Sequence, residues 1–155
     1  MTSIAIGKPL PSFTATSTQG NITPDTLRGR YAVLYFYPKD NTPGCTTESQ
    51  DFRDSFEAFV QAGCQIVGIS RDTLKSHLGF AEKQNLPFPL IADTDETLCQ
   101  MFNVMKLKNM YGKQVRGIER STFLVDPEGL VAREWRGLKV AGHVSDVLKA
   151  VQDKA

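Results

Sequence analysis

The strongest constraint on the fold is a continuous apolar run that ends at a turn rich in proline and glycine. The run, YAVLYFY, spans residues 31–37 and contains only aliphatic and aromatic side chains. Such a run is typical of a strand buried on both faces, as in the centre of an α/β sheet. The turn that follows, PKDNTPGC, leads directly to Cys45 at the start of a predicted helix that has proline in its first position.

The rest of the chain predicts an α/β fold with a central mixed sheet flanked by helices. Alternation before Ile22 predicts an N-terminal β-hairpin. Helical spacing of apolar residues predicts helices at 46–62, 73–84, 95–102 and 143–151, and apolar runs predict strands at 64–70, 90–92, 122–125 and 130–135. Residues 105–117 show no clear period and are predicted to form a loop. A length of 155 residues suits one domain, which we expect to span residues 1–155.

Composition and charge exclude several classes of protein. The net charge is only +1, so no nucleic-acid surface follows from the overall charge. The N-terminus lacks the pattern of a signal peptide, and no run approaches the roughly 18 apolar residues of a membrane span. We therefore expect a cytoplasmic protein without a membrane or nucleic-acid partner.

The three cysteines, Cys45, Cys64 and Cys99, do not have the spacing of a disulfide scaffold or a zinc site, because no C-x-x-C is present. The odd number leaves at least one free thiol. Neither His77 nor His143 has a histidine or acidic partner at a helical spacing that suggests a metal, so both are interpreted as structural. We expect no metal and no organic cofactor.

Cys45 is the candidate nucleophile because its predicted position favours an ionised thiol. A free cysteine thiol has a pKa near 8.5, so only about 3% of it is thiolate at pH 7. Thr42 is predicted as the N-cap residue, and Cys45 lies in the first helical turn, where backbone N–H groups and the helix dipole stabilise an anion. A helix end contributes only about 0.3–1 kcal/mol at an exposed site, so we also expect a cationic partner. Arg120, just before the strand at 122–125, is the candidate.

The spacing P-x-x-x-T-x-x-C, formed by Pro38, Thr42 and Cys45, resembles the active-site signature of the peroxiredoxins. The surrounding YFYPKDNTPGCTTE is similar to the peroxiredoxin Q, or bacterioferritin comigratory protein, branch of that family. The resemblance implies a thioredoxin-like fold and thiol-dependent reduction of hydrogen peroxide and organic hydroperoxides. It also implies that Cys45 is the peroxidatic thiolate, that Thr42 holds the peroxide, that Pro38 covers the pocket and that Arg120 stabilises the thiolate and transition state.

The resolving step is where the chain departs from the family pattern. Many members of this branch have a second cysteine five residues after the peroxidatic one or in the next helix, and these positions hold Gln50 and Ala81 here. Two routes remain open. In a one-cysteine route, an external thiol such as thioredoxin, glutaredoxin or glutathione reduces the oxidised enzyme, whereas in an atypical two-cysteine route Cys99 or Cys64 forms an internal disulfide. Members of the branch are often monomers, and we expect the same here.

Two other functions compete with a peroxidase. A thioredoxin-like disulfide exchanger is disfavoured, because Gly44 precedes Cys45 and no C-x-x-C is present. A redox sensor or holdase needs an exposed apolar stretch or a disordered arm for a client protein, and the sequence offers neither.

Overall fold

A seven-stranded mixed sheet forms the centre of the protein in the computed structural model, which describes residues 3–154. The strands are β1 (Ala15–Ser17), β2 (Gly20–Ile22), β3 (Tyr31–Phe36), β4 (Cys64–Ser70), β5 (Leu90–Ala92), β6 (Met105–Met110), β7 (Lys113–Ile118), β8 (Ser121–Val125) and β9 (Val131–Arg136). The helices are α1 (Pro24–Leu27), α2 (Pro43–Asp54), α3 (Phe56–Gln61), α4 (Leu74–Gln84), α5 (Thr97–Met101) and α6 (His143–Lys154).

The apolar run of the sequence forms β3, which lies inside the sheet. The strand order is β2-β1-β5-β4-β3-β8-β9, and β6 and β7 form a separate two-stranded sheet. β3 pairs in parallel with β4 and antiparallel with β8, so that Phe36 lies opposite Ile69 on one side and Ser121 on the other. This arrangement confirms the predicted mixed sheet, the buried central strand and the N-terminal hairpin of β1 and β2.

Alternate side chains of β3 point into two apolar cores, one on each face of the sheet. We call them the α2 side and the α5 side. The α2 side contains Tyr35, Tyr37, Cys45, Phe52, Phe59, Cys64 and Phe80. The α5 side contains Leu34, Phe36, Leu98, Cys99, Phe102 and Phe123. Each fully buried side chain of this size contributes roughly 1.5–3 kcal/mol through the hydrophobic effect, so helices on both faces are held to the sheet mainly by these contacts.

Two predictions about local structure were wrong. Residues 105–117 form most of the antiparallel hairpin of β6 and β7 rather than a loop, and Leu107 is 68% exposed. The single helix predicted at 46–62 is divided at Ser55 into α2 and α3. Phe52 of α2 and Phe59 of α3 are nevertheless buried in the same core, with Phe56 packed against it, whereas Val60 is 43% exposed.

Within the described residues, no helix is both long and apolar enough to cross a membrane. The expectation that residues 1–155 form one domain stays a prediction.

Candidate active site

Cys45 lies in the first turn of α2, directly after the turn that follows β3. Thr42 is the N-cap residue by its extended backbone, and Pro43 occupies the first helical position. The Thr42 hydroxyl does not cap the helix; it donates instead to the carbonyl of Lys39 at 2.8 Å. The first-turn N–H groups are therefore not taken by this side chain, which leaves them directed at an anion near the helix end. Cys45 itself is buried, with 1% exposure.

Arg120 reaches Cys45 because of the pairing between β3 and β8. Ser121 lies opposite Phe36 at the carboxyl end of β3, which places the preceding Arg120 beside the start of α2. Its Nη2 donates to the Cys45 Sγ at 3.5 Å, across 75 residues of sequence. A Cβ at Gly44 would lie 3.2 Å from the same Nη2, so glycine at this position permits the close approach of the guanidinium.

Glu48 holds the other side of the Arg120 guanidinium. Arg120 Nη1 donates to Glu48 Oε1 at 2.7 Å, while Glu48 is fully buried. Burial raises the pKa of Glu48 to about 7, although the nearby Arg120 charge opposes this shift. Among the described residues, no group donates to Glu48 Oε2. The guanidinium is thus fixed between a buried carboxyl group and the sulfur.

Pro38 lies on the turn before α2, and an aromatic layer lies beneath that helix. Pro38 follows the buried Tyr37 and is partly exposed, at the start of the turn that ends at Thr42. Tyr35 lies beneath α2, where its hydroxyl is 2.8 Å from the Ser49 Oγ and its ring stacks on Phe52 at a centroid distance of 4.6 Å. The structure therefore brings Pro38, Thr42, Cys45 and Arg120 to one end of β3, as the sequence predicted. The site therefore contains one thiol, that of Cys45, and one cation, the Arg120 guanidinium, which Glu48 holds in place.

Comparison with known proteins identifies the family of this chain. A model of the AhpC/TSA family matches residues 6–134. The chain belongs to this family. It is 51% identical to peroxiredoxin Bcp of Xanthomonas campestris over 158 aligned residues, which cover 100% of this chain and 99% of that one. It is also 47% identical to peroxiredoxin Bcp of Bacillus subtilis, with 97% of this chain and 96% of the other covered.

Solved structures give the same result. The chain is 52% identical to a structure of X. campestris peroxiredoxin Q, with a TM-score of 0.86 and coverage of 91% and 90%. It is 51% identical to a structure of X. campestris bacterioferritin comigratory protein, from work on alkyl peroxide reduction by that protein, with a TM-score of 0.87 and coverage of 92% and 91%. The thioredoxin-like fold is thereby confirmed, and the chain is a peroxiredoxin, a thiol-dependent peroxidase that uses a peroxide and a thiol reductant.

The other two cysteines of this peroxiredoxin lie away from Cys45. All three cysteines are free thiols. Cys64 lies opposite Tyr31, the first residue of β3, whereas Cys45 lies beyond the last residue of this strand. The two ends of β3 are about 17 Å apart. Cys64 lines a separate cavity of about 320 Å³, and burial raises its pKa to about 12. Cys99 belongs to the core on the α5 side of the sheet, and burial raises its pKa far above the usual range.

Sequence reasoning missed one charged residue at this peroxiredoxin site, Glu48. Glu48 follows Cys45 by three positions on α2, and helical spacing alone would have placed it on the same face. Lys108, from a segment that was predicted to be a loop, also interacts electrostatically with Arg120 and Cys45. Its Nζ donates to the Ile118 carbonyl at 2.6 Å. Burial lowers the pKa of Lys108, the positive charge of Arg120 lowers it further, and the Cys45 thiol opposes this effect.

Proposed function

We propose that Cys45 is the peroxidatic cysteine of this peroxidase and that Arg120 is its main electrostatic partner. The observation that carries the assignment is the donation from Arg120 Nη2 to the Cys45 Sγ, at a helix N-terminus. Both groups favour the thiolate over the thiol. Cys45 is also the only one of the three cysteines for which the described residues provide a direct side-chain cation contact.

The chemical step is attack of the Cys45 thiolate on the terminal oxygen of a hydroperoxide. A new S–O bond forms as the O–O bond breaks; sulfur is oxidised to sulfenic acid, and the leaving alkoxide or hydroxide takes a proton from solvent. Negative charge moves from sulfur toward the leaving oxygen, so donors fixed along that line stabilise the transition state more than the ground state. Arg120, with one edge held by Glu48, is such a donor.

Thr42 orients the peroxide through its oxygen. Its own hydroxyl proton is directed to the Lys39 carbonyl. Its remaining lone pairs are therefore suited to accept a hydrogen bond from the O–H group of the peroxide. Pro38, on the same turn, has no N–H and restricts the approach of water from that side. These two roles make the turn a binding element, while α2 and Arg120 supply the reactive groups.

We further propose the one-cysteine route for reduction. An external thiol attacks the Cys45 sulfenic acid, releasing water and forming a mixed disulfide, and a second thiol restores Cys45. The positions of Cys64 and Cys99 support this route, because a disulfide needs Cα atoms within about 7 Å of one another. Thioredoxin, glutaredoxin and glutathione are the candidate reductants. A monomeric state and a cytoplasmic location belong to the same proposal.

A coupled assay tests the role of Cys45. Wild-type protein with dithiothreitol should consume hydrogen peroxide far faster than free cysteine does, and Cys45→Ser should abolish the difference. Cys64→Ala and Cys99→Ala serve as matched controls and should retain the activity. Peroxide consumption that survives in Cys45→Ser would show that another residue is the nucleophile.

A further inference from the structure

A buried polar cluster lies behind the turn that carries Pro38 and Thr42, outside the Cys45 site. Asp40, within this turn, is 4% exposed, and His77, on α4, is completely buried. The cluster joins the end of β3, the turn, the β4–α4 connection and β5. Its members are Tyr37, Asp40, Ser70, Asp72, Ser76, His77 and the carbonyl of Ile91. The peroxidase mechanism derived above uses none of these side chains.

The hydrogen bonds of His77 require a proton on both ring nitrogens. Nε2 is 2.9 Å from the carbonyl oxygen of Ile91, which can only accept. Nδ1 is 2.7 Å from Asp40 Oδ2. The Asp40 carboxylate already accepts from the hydroxyls of Tyr37, at 2.7 Å, and Ser76, at 2.8 Å, which is the behaviour of an ionised acceptor. We infer from these two donors to Asp40 that Nδ1 donates as well and that His77 forms a buried ion pair with Asp40.

This ion pair holds the turn at its centre. The backbone N–H of Asp40 donates to Asp72 Oδ2 at 2.9 Å, so both the main chain and the side chain of Asp40 are anchored. The next residue, Asn41, has a φ of 63°, a left-handed conformation that asparagine tolerates in turns. Thr42 follows immediately, and Pro38 lies two residues before Asp40. The anchored Asp40 thus sets the backbone positions of both.

We propose that the Asp40–His77 ion pair positions Pro38 and Thr42 for peroxide binding, and that rapid reaction at Cys45 requires doubly protonated His77. This proposal rests on the proposed function of Thr42 and Cys45. Loss of one His77 proton would set a nitrogen lone pair against either the carboxylate or the Ile91 carbonyl. The turn would then lose its anchor, and the peroxide-binding hydroxyl would move away from the sulfur.

Three polar groups from different elements face His77. Tyr37 contributes a hydroxyl from the end of β3, Asp40 a carboxylate from the turn, and Asp72 a second carboxylate through its hydrogen bond with Ser70. Ligand atoms of Asp40, Asp72 and His77 lie within 4.8 Å of one another. A histidine with both nitrogens protonated has no lone pair for a metal, so the cluster acts as an ion pair rather than as a metal site.

Nitrogen-15 NMR of the wild-type protein tests the protonation state directly and needs no peroxidase activity. The chain has only two histidines, and His143 provides an internal comparison: it is buried, its Nε2 is 2.8 Å from the Thr122 Oγ1, and burial lowers its pKa to about 4. At pH 7 His77 should show two protonated nitrogens and His143 only one. A His77 signal with one bare nitrogen at pH 7 would overturn the proposal.

Kinetics of Cys45 oxidation by hydrogen peroxide test the positioning role. Asp40→Asn and His77→Gln should each lower the second-order rate constant by about 10- to 100-fold, as expected for a displacement near 1 Å. The double variant should be no slower than the slower single variant, because both changes remove the same ion pair. His143→Gln is the matched control for loss of a buried histidine and should retain the rate.

The pH profile separates positioning from a merely structural role. In the wild type, the alkaline decline of the rate constant should coincide with loss of the second His77 proton in the NMR titration, and this decline should be absent in His77→Gln. A folded His77→Gln protein with the wild-type rate constant and pH profile would refute the proposal. Failure of the proposed function has a different signature, namely peroxide consumption that persists in Cys45→Ser.

Discussion

At the scale of single residues, the site depends on how one guanidinium is held. Arg120 offers a planar set of donors, and two of its nitrogens are engaged in fixed directions, toward Cys45 and toward Glu48. A lysine at this position would keep the charge but lose the second directed contact. The thiolate is therefore stabilised by a donor whose orientation is set before the peroxide arrives, which is the condition for electrostatic preorganisation.

Arg120→Ala should slow the reaction of Cys45 with hydrogen peroxide by about 100-fold or more, because a donor aimed at the developing charge is lost. The thiolate should also form only at higher pH. The pH dependence of alkylation by iodoacetamide measures this second effect. Arg30→Ala, which removes an exposed arginine at the far end of the sheet, should leave both unchanged. An unaltered alkylation profile in Arg120→Ala would remove Arg120 from the site.

Gly44→Ala should separate activity from stability. The new methyl group would lie 3.2 Å from Arg120 Nη2, so the guanidinium must move by a few tenths of an ångström, and we expect a rate lower by roughly 3- to 10-fold. Alanine in a helix is favoured over glycine, so stability should stay equal or rise by up to about 1 kcal/mol. Gly79→Ala on α4, where a Cβ meets nothing within 4 Å, should change stability alone. Equal peroxidase rates in both variants would contradict the account.

Glu48 should make stability depend on pH. Burial raises the pKa of Glu48 from 4.5 to about 7, so between these values the folded protein retains a proton that the unfolded chain releases. The Glu48 contribution to stability is therefore fully present below about pH 4.5 and is lost as the pH rises through about 7. Relative to Glu48→Gln, the wild type should lose roughly 1–3 kcal/mol over this range in urea denaturation. A difference between the two proteins that does not vary with pH would be inconsistent with a buried, titrating Glu48.

At the scale of elements, β3 and its neighbours determine where α2 begins and what lies beneath it. Gly68 on β4 is part of this support, because a Cβ there would lie 2.6 Å from the Leu90 Cδ2 and 2.8 Å from the Tyr35 Cζ. The absence of a side chain lets the Tyr35 ring lie across β4 and reach Ser49 on α2.

Gly68→Ala should therefore destabilise the protein by about 1–3 kcal/mol, the usual cost of overpacking a core. Urea denaturation of this variant beside the wild type provides the measurement. The displaced Tyr35 should also lose its contact with Ser49, so a modest loss of peroxidase rate should accompany the loss of stability. A variant as stable as the wild type would mean that this core tolerates the extra methyl group.

The elements also show what sequence patterns could predict. β3, β4 and α2 were predicted because each buries a regular apolar set. The hairpin of β6 and β7 was missed because only one end of it reaches the core: Ile118 is buried and Met105 packs against the same core, whereas Leu107 and Val115 are exposed. Its turn uses Tyr111 and Gly112, both with positive φ, and Tyr-Gly is not a common signature of such a turn.

At the scale of the whole molecule, strand order explains contacts that spacing along the chain could not reveal. The helix-start pattern predicted Cys45 and Thr42, the need for a cation pointed to Arg120, and the resemblance added Pro38 and the role of each residue. The Asp40–His77 pair was missed, because its partners come from a turn and a helix 37 residues apart and no local pattern relates them. The same topology puts Cys99 on the opposite face of the sheet from Cys45 and Cys64 at the opposite end of β3.

The mass of the oxidised protein shows which sulfur reacts with peroxide and whether an internal disulfide follows. The wild type is treated with one equivalent of hydrogen peroxide without a reductant, and the intact protein and its Cys45 peptide are then weighed by mass spectrometry. We expect the gain of one oxygen atom on Cys45, as a sulfenic acid that a thiol reduces back to the free cysteine. Loss of two hydrogens without dimer formation, which signals an internal disulfide, or oxygen on Cys64 or Cys99 with Cys45 intact, would contradict this expectation.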